Sequence, residues 1–162
     1  MILTESLIKF VESNIELIEN HRFNELYDKC YPYTMRTELT HLLTSVQEFP
    51  ICYFRNVVPK YAYLNCAQIS SITVPENAQL IDTGAFYQCE DLYEITLPES
   101  VKQINLKAFS SCPKLENVNY KGTQEQWKMI KTLLNPFDVS PVKTICCKDQ
   151  TIEYQKYKDR FV

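Results

Sequence analysis

The chain has 162 residues, 45% of them hydrophobic, and a formal net charge of −3, a length and composition that fit one domain with a continuous core. So small a negative charge argues against a nucleic-acid binder, which concentrates Lys and Arg on one face, and against a DNA mimic, which needs many more carboxylates. No apolar run approaches the roughly 20 residues of a membrane helix, and Gly84 and Gly122 are the only glycines, too few for a loop that cradles phosphate.

Residues 1–19 carry Glu5, Lys9, Glu12, Glu16 and Glu19, which is not a signal-peptide pattern, so a reducing, cytoplasmic setting is expected. The stretch reads as a helix with Thr4 as its N-cap and an apolar stripe of Leu7, Ile8, Val11, Ile15 and Ile18. Phe23, Leu26, Tyr27 and Cys30 suggest a short second helix ending near Pro32, because the residue before a proline disfavours the helical region. A third helix is expected from about residue 34 to 46, with Met35, Leu39, Leu42, Leu43 and Val46 on its apolar side. Residues 49–60 read as a connector with local aromatic packing by Tyr53 and Phe54.

From Val58 to Tyr120 one unit is written three times at a spacing of 23 residues. The columns are Val58, Ile81, Ile104; Ala62, Ala85, Ala108; Tyr63, Phe86, Phe109; Cys66, Cys89, Cys112; Ile69, Leu92, Leu115; Ile72, Ile95, Val118; and Val74, Leu97, Tyr120. A fixed short period marks a solenoid, in which each coil buries its apolar side only against its neighbours. Each repeat should hold a short strand (residues 71–74, 94–97 and 117–120) and a return segment of turn or 3₁₀ helix. Cys66, Cys89 and Cys112 should then stack as buried thiols about one strand spacing, roughly 4.8 Å, apart. The helices of residues 1–56 would cover the first coil, whose edge otherwise exposes apolar surface and strand hydrogen-bonding groups.

The pattern Ile-x-x-x-Ala-Phe-x-x-Cys-x-x-Leu-x-x-Ile-x-Leu-Pro over residues 81–98 resembles the BspA-like class of bacterial leucine-rich repeats, and Tyr120-Lys121-Gly122-Thr123-Gln124-Glu125-Gln126-Trp127 resembles the segment that closes such arrays. The resemblance covers roughly residues 57 to 155 and implies protein recognition. The chain departs from the family where Asp82 and Asn105 replace a glycine, and both residues tolerate positive φ well enough to keep the expected turn. Pro59 holds the equivalent place in the first repeat, and its fixed negative φ suggests a degenerate entry coil.

Beyond Tyr120, Gly122 can take a turn, and Thr123 with Gln126 forms a capping box for a helix reaching about Leu134, whose Trp127, Ile130, Leu133 and Leu134 should close the last coil. Pro136 and Pro141 stop it. Residues 143–147 and 151–154 look like a hairpin around Lys148-Asp149-Gln150, and residues 154–161 alternate basic and aromatic side chains, including Lys156, Lys158 and Arg160. The expected fold is α+β: a helical cap (1–56), a leucine-rich-repeat solenoid of about three 23-residue repeats (57–122), and a C-terminal helix plus β-hairpin cap (123–162).

The favoured function is a non-enzymatic protein-binding module, with no cofactor, no metal site and no catalytic residues. Its binding surface is the outward strand ladder of Ser71, Thr73, Tyr93, Glu94, Thr96, Asn117 and Asn119, where short polar groups flank an amphipathic aromatic. A small protein of this kind would suit a bacterium, or a phage or mobile element inhibiting a host enzyme. One alternative is a cysteine-dependent enzyme built on Cys30 with His21 or His41, or on Cys52. Another is a nucleic-acid or acidic-partner contact through the basic aromatic tail. The histidines lack ligand spacing for zinc, no Gly-x-Ser-x-Gly elbow occurs, and on a strand Cys146 and Cys147 would face opposite ways.

Overall fold

A computed structural model describes residues 4–20, 22–31, 34–46, 56–67, 69–132 and 134–154. Tyr53 and Phe54 of the connector, Leu133, and the tail with Lys156, Lys158 and Arg160 lie outside the described residues. Four helices come first: α1 (Glu5–Ser13), α2 (Ile15–Glu19), α3 (Phe23–Lys29) and α4 (Thr34–Val46). Thr4 caps α1 by accepting from the Leu7 N–H at 3.3 Å. The expected stripe does not run through both α1 and α2. Asn14 ends one helix and starts the next, so the phase shifts: Leu7 and Leu17 are buried, while Ile8 and Ile15 stay 41% and 48% exposed.

The repeats coil into two sheets. One has the order β1 (Val57–Val58), β3 (Leu80–Ile81), β5 (Gln103–Ile104), β7 (Lys131–Thr132), all parallel. The other runs β2 (Ser71–Thr73), β4 (Glu94–Leu97), β6 (Asn117–Tyr120), β8 (Thr144–Cys146), β9 (Thr151–Glu153), parallel except for the antiparallel β8–β9 pair. Strand residues meet their repeat counterparts in register, as Ile72, Ile95 and Val118 do. Between the sheets the rings of Tyr63, Phe86, Phe109 and Phe137 stack with centroids 5.2 to 5.3 Å apart, beside the fully buried alanine and cysteine columns. Cys89 donates its thiol to the Tyr63 carbonyl and Cys112 donates to that of Phe86, both at 3.1 Å.

Phe137 marks a fourth coil that continues the three expected ones. Helix α5 (Gln124–Met129), with the capping box of Thr123 and Gln126, is inserted within it. The helix stops short of Leu134, because the backbone turns extended at Ile130 and Lys131–Thr132 joins the first sheet as β7. Trp127 and Ile130 are buried, while Leu134 is 51% exposed. The last coil is therefore closed by β9 and by Tyr154, which meets Phe137 edge to face, and the α5 helix covers a flank at Tyr120.

Two local expectations are corrected. Residues 57 and 58 of the connector are a strand. The positive φ values do not fall on Asp82 and Asn105 but two residues after them, at Gly84 and Lys107, and likewise at Tyr61 of the first coil; a second set occupies Asn65, Gln88, Ser111 and Val139. At Gly84 the requirement is also steric, since a Cβ there would sit 2.3 Å from the Tyr61 ring. Asp82 and Asn105 instead bond side chain to side chain across coils at 2.7 Å.

The helices cap the first coil by chemistry as well as by contact. Arg36, 4% exposed, donates to the carbonyls of Cys30, Tyr27 and Lys60. Thr40 donates to that of Ala62, and Asn24 donates to that of Val57 at 2.8 Å. In the next coil, Thr83 and Ala85, equivalents of Lys60 and Ala62, accept from the N–H groups of Tyr61 and Tyr63. Side chains of α3 and α4 thus supply the donors that a preceding coil would give, which an open solenoid end requires.

Candidate interaction face

Alternation along each strand sends one set of side chains inward and the next outward. In the five-stranded sheet Ile95, Leu97, Val118, Tyr120 and Ile145 point in and are buried. Facing out, the register aligns Ser71, Glu94, Asn117 and Thr144 in one row and Thr73, Thr96, Asn119 and Cys146 in the next. β9 extends these rows with Glu153 and Thr151. Ser71, Thr73 and Asn117 are exposed, and Glu94, Thr96 and Asn119 are half-buried. Tyr93, just before β4, is 52% exposed. All seven ladder residues therefore lie on or beside one face.

The face is held by its own side chains. Asn119 donates to the Glu94 carboxylate at 2.6 Å, and Thr144 donates to Asn117. Cross-coil ion pairs frame it: Lys114 with Asp91 at 2.5 Å and Lys143 with Glu116 at 2.8 Å lie around the strand starts, and Lys121 with Glu76 lies beyond the ends. Such exposed pairs add little stability, but they leave the rows between them mostly uncharged. Thr144, Cys146, Thr151 and Glu153 are ladder members that the sequence reading missed. The hairpin itself was expected; its attachment to β6 was hidden because Val118 and Ile145 are 27 residues apart.

Two grooves open elsewhere on the described surface. One of about 560 Å³ runs along the corner of positive-φ residues Asn65, Gln88, Ser111 and Val139. The other, about 550 Å³, lies between α3, α4 and the first coil and is lined by Asp28, Arg36, Lys60 and Asp82. Neither contains a cysteine. Cys30 is fully buried, and burial pushes its thiol up to about 11, so the thiolate a nucleophile needs is scarce at neutral pH. His21, Cys52 and the His41 side chain lie outside the described residues. Cys146 faces outward with its row, while Cys147 packs against the core.

Among the described residues no group of His, Cys, Asp and Glu is arranged to hold a metal ion, and no helix is long and apolar enough to cross a membrane. A family model described as the BspA type Leucine rich repeat region (6 copies) matches residues 56–154, more than half of the chain. No curated protein and no solved structure matches.

Proposed function

The chain belongs to the BspA-type leucine-rich repeat family, whose repeats are a protein-interaction architecture, and from that premise we propose that it is a non-enzymatic module binding a protein partner through the outer face of the five-stranded sheet. The observation that carries the reading is the pair of short polar rows, Ser71–Glu94–Asn117 and Thr73–Thr96–Asn119, in strict register on a rigid parallel sheet. Such a face is pre-organised, so little side-chain entropy is lost when a partner docks. Tyr93 at its margin offers the amphipathic aromatic contact typical of interface hot spots.

The cap helices (1–56), the repeats (57–122) and the closing segment (123–162) are proposed as one binding unit with recognition in the middle part. A reducing, cytoplasmic setting suits the free thiols of Cys30, Cys66, Cys89, Cys112, Cys146 and Cys147. In its most specific form the partner is a bacterial host enzyme and the chain an inhibitor encoded by a phage or mobile element. The test is affinity capture from the native host lysate, followed by hydrogen exchange of the captured complex. Protection concentrated on β2, β4 and β6 supports the face; protection confined to the cap helices or the tail would refute it.

A further inference from the structure

From Tyr61 to Val101 the chain carries Glu76, Asp82, Glu90, Asp91, Glu94 and Glu99 but no lysine or arginine, so the cations that frame the outer face of the five-stranded sheet come from later coils. Each of them is already engaged: Lys114 with Asp91, Lys121 with Glu76 and Lys143 with Glu116. Glu94 stands inside that frame, half-buried, in register between Ser71 and Asn117. Among the described residues no cation pairs with it. Asn119 donates to one of its oxygens at 2.6 Å, and no described donor reaches the other. Solvent serves that oxygen while the face is free, and a docked partner would displace it. A carboxylate left unpaired under a docked surface opposes binding strongly.

We propose that the protein partner supplies the missing cation, presenting an arginine to Glu94 at the centre of an otherwise uncharged contact segment. The inference rests on the reading of this face as the binding surface and adds the chemistry of what it binds. A carboxylate offers about four lone-pair sites, and Asn119 takes one. Both oxygens therefore remain able to accept from the two parallel N–H groups of a guanidinium, a planar fork that an ammonium lacks. Tyr93, 52% exposed, immediately precedes Glu94, and a guanidinium plane rests well against an aromatic ring.

The surroundings of Glu94 concentrate the selection there. Ser71, Thr73, Thr96 and Asn117 are short and neutral, so they hydrogen-bond a polar segment without choosing between charges. An acidic surface or a nucleic-acid backbone would set like charges together at Glu94, which costs affinity and excludes such partners.

The probe is a short capped peptide of serine and threonine with one arginine at its centre, titrated into the full chain and followed by the amide resonances of Glu94, Thr96, Asn117 and Asn119. Saturable shifts at these positions, weakened by added salt, are expected. The same peptide with citrulline, which keeps the shape and drops the charge, should bind at least tenfold more weakly, and a lysine version should fall between the two. Glu94→Gln keeps an acceptor for Asn119 on the outer face, so the fold is retained. It should weaken the arginine peptide at least tenfold and leave the citrulline peptide unchanged. No saturable shift on this face, citrulline or lysine binding as well as arginine, or full affinity in Glu94→Gln would each overturn the proposal. Its failure is separable from that of the face. If the captured partner protects β2, β4 and β6 from hydrogen exchange and Glu94→Gln holds it as tightly as the parent does, the face stands and the arginine falls; protection elsewhere removes both.

Discussion

The carbonyl of Lys60 accepts a hydrogen bond from the guanidinium of Arg36, while its equivalent one coil on, the carbonyl of Thr83, accepts from the backbone N–H of Tyr61. An arginine on a helix has taken the place of a missing return-segment residue. Arg36→Met should therefore leave the carbonyls of Cys30, Tyr27 and Lys60 without this donor in a buried site, a cost of about 1 to 3 kcal/mol for each group left unsatisfied. We expect a total loss of about 3 kcal/mol or more by urea denaturation, only partly recovered by Arg36→Lys, since an ammonium cannot reproduce the planar fork. A loss below about 1 kcal/mol would mean that the helices merely rest on the solenoid.

The stacked rings give the second prediction. Phe86 lies between Tyr63 and Phe109, and Phe109 between Phe86 and Phe137, with interplanar angles of 4 to 14°. Phe86→Ala and Phe109→Ala should each cost about 3 to 5 kcal/mol, because neither cavity can collapse between rigid coils. Tyr63→Phe keeps the ring and should cost far less. Equal, small losses at Phe86 and Phe109 would contradict the stack.

How much of this was legible follows from what each position must do. Val58, Phe86, Cys89 and Ile95 recur at 23 residues because identical coils bury identical faces, so their columns could be read directly. The fourth coil was obscured because α5 lengthens it: Phe109 and Phe137 are 28 residues apart, and Thr132 occupies a strand position that is apolar in the earlier coils, at Val58, Ile81 and Ile104. Arg36 and Thr40 were passed over because a buried polar residue on a helix looks like a break in its stripe until the carbonyl it serves is in view. The left-handed positions escaped notice because Tyr61, Lys107 and Val139 adopt them without being glycine, asparagine or aspartate. The outward polar ladder followed from alternation alone, but the rungs contributed by β8 and β9 needed the sheet order.

The third prediction concerns pH. Burial pushes the thiols of Cys30 and Cys147 from an ordinary value near 9 up to about 11. The folded state therefore holds these protons more tightly than the unfolded chain does. The stability they contribute is fully present below about pH 9 and is lost as pH rises toward about 11. Urea midpoints should fall across that window, and less so in Cys30→Ala with Cys147→Ala measured against its own neutral-pH value. An unchanged slope in the double variant would show that other groups govern the alkaline limit. Cys66, Cys89 and Cys112, all fully buried, should stay unreactive toward a thiol reagent until the chain unfolds.

The measurement that bears most directly on the central claim is the affinity of the captured partner for the parent chain and for Tyr93→Ala with Glu94→Arg. Tyr93 is 52% exposed, and Glu94 lies on the outer face, bonded to Asn119, so the pair can change without touching the core. The account predicts binding weakened at least tenfold, about 1.4 kcal/mol, with a Tm close to that of the parent. Full affinity in this double variant, together with loss of binding when Lys156, Lys158 and Arg160 are neutralised, would contradict it and move recognition to the tail.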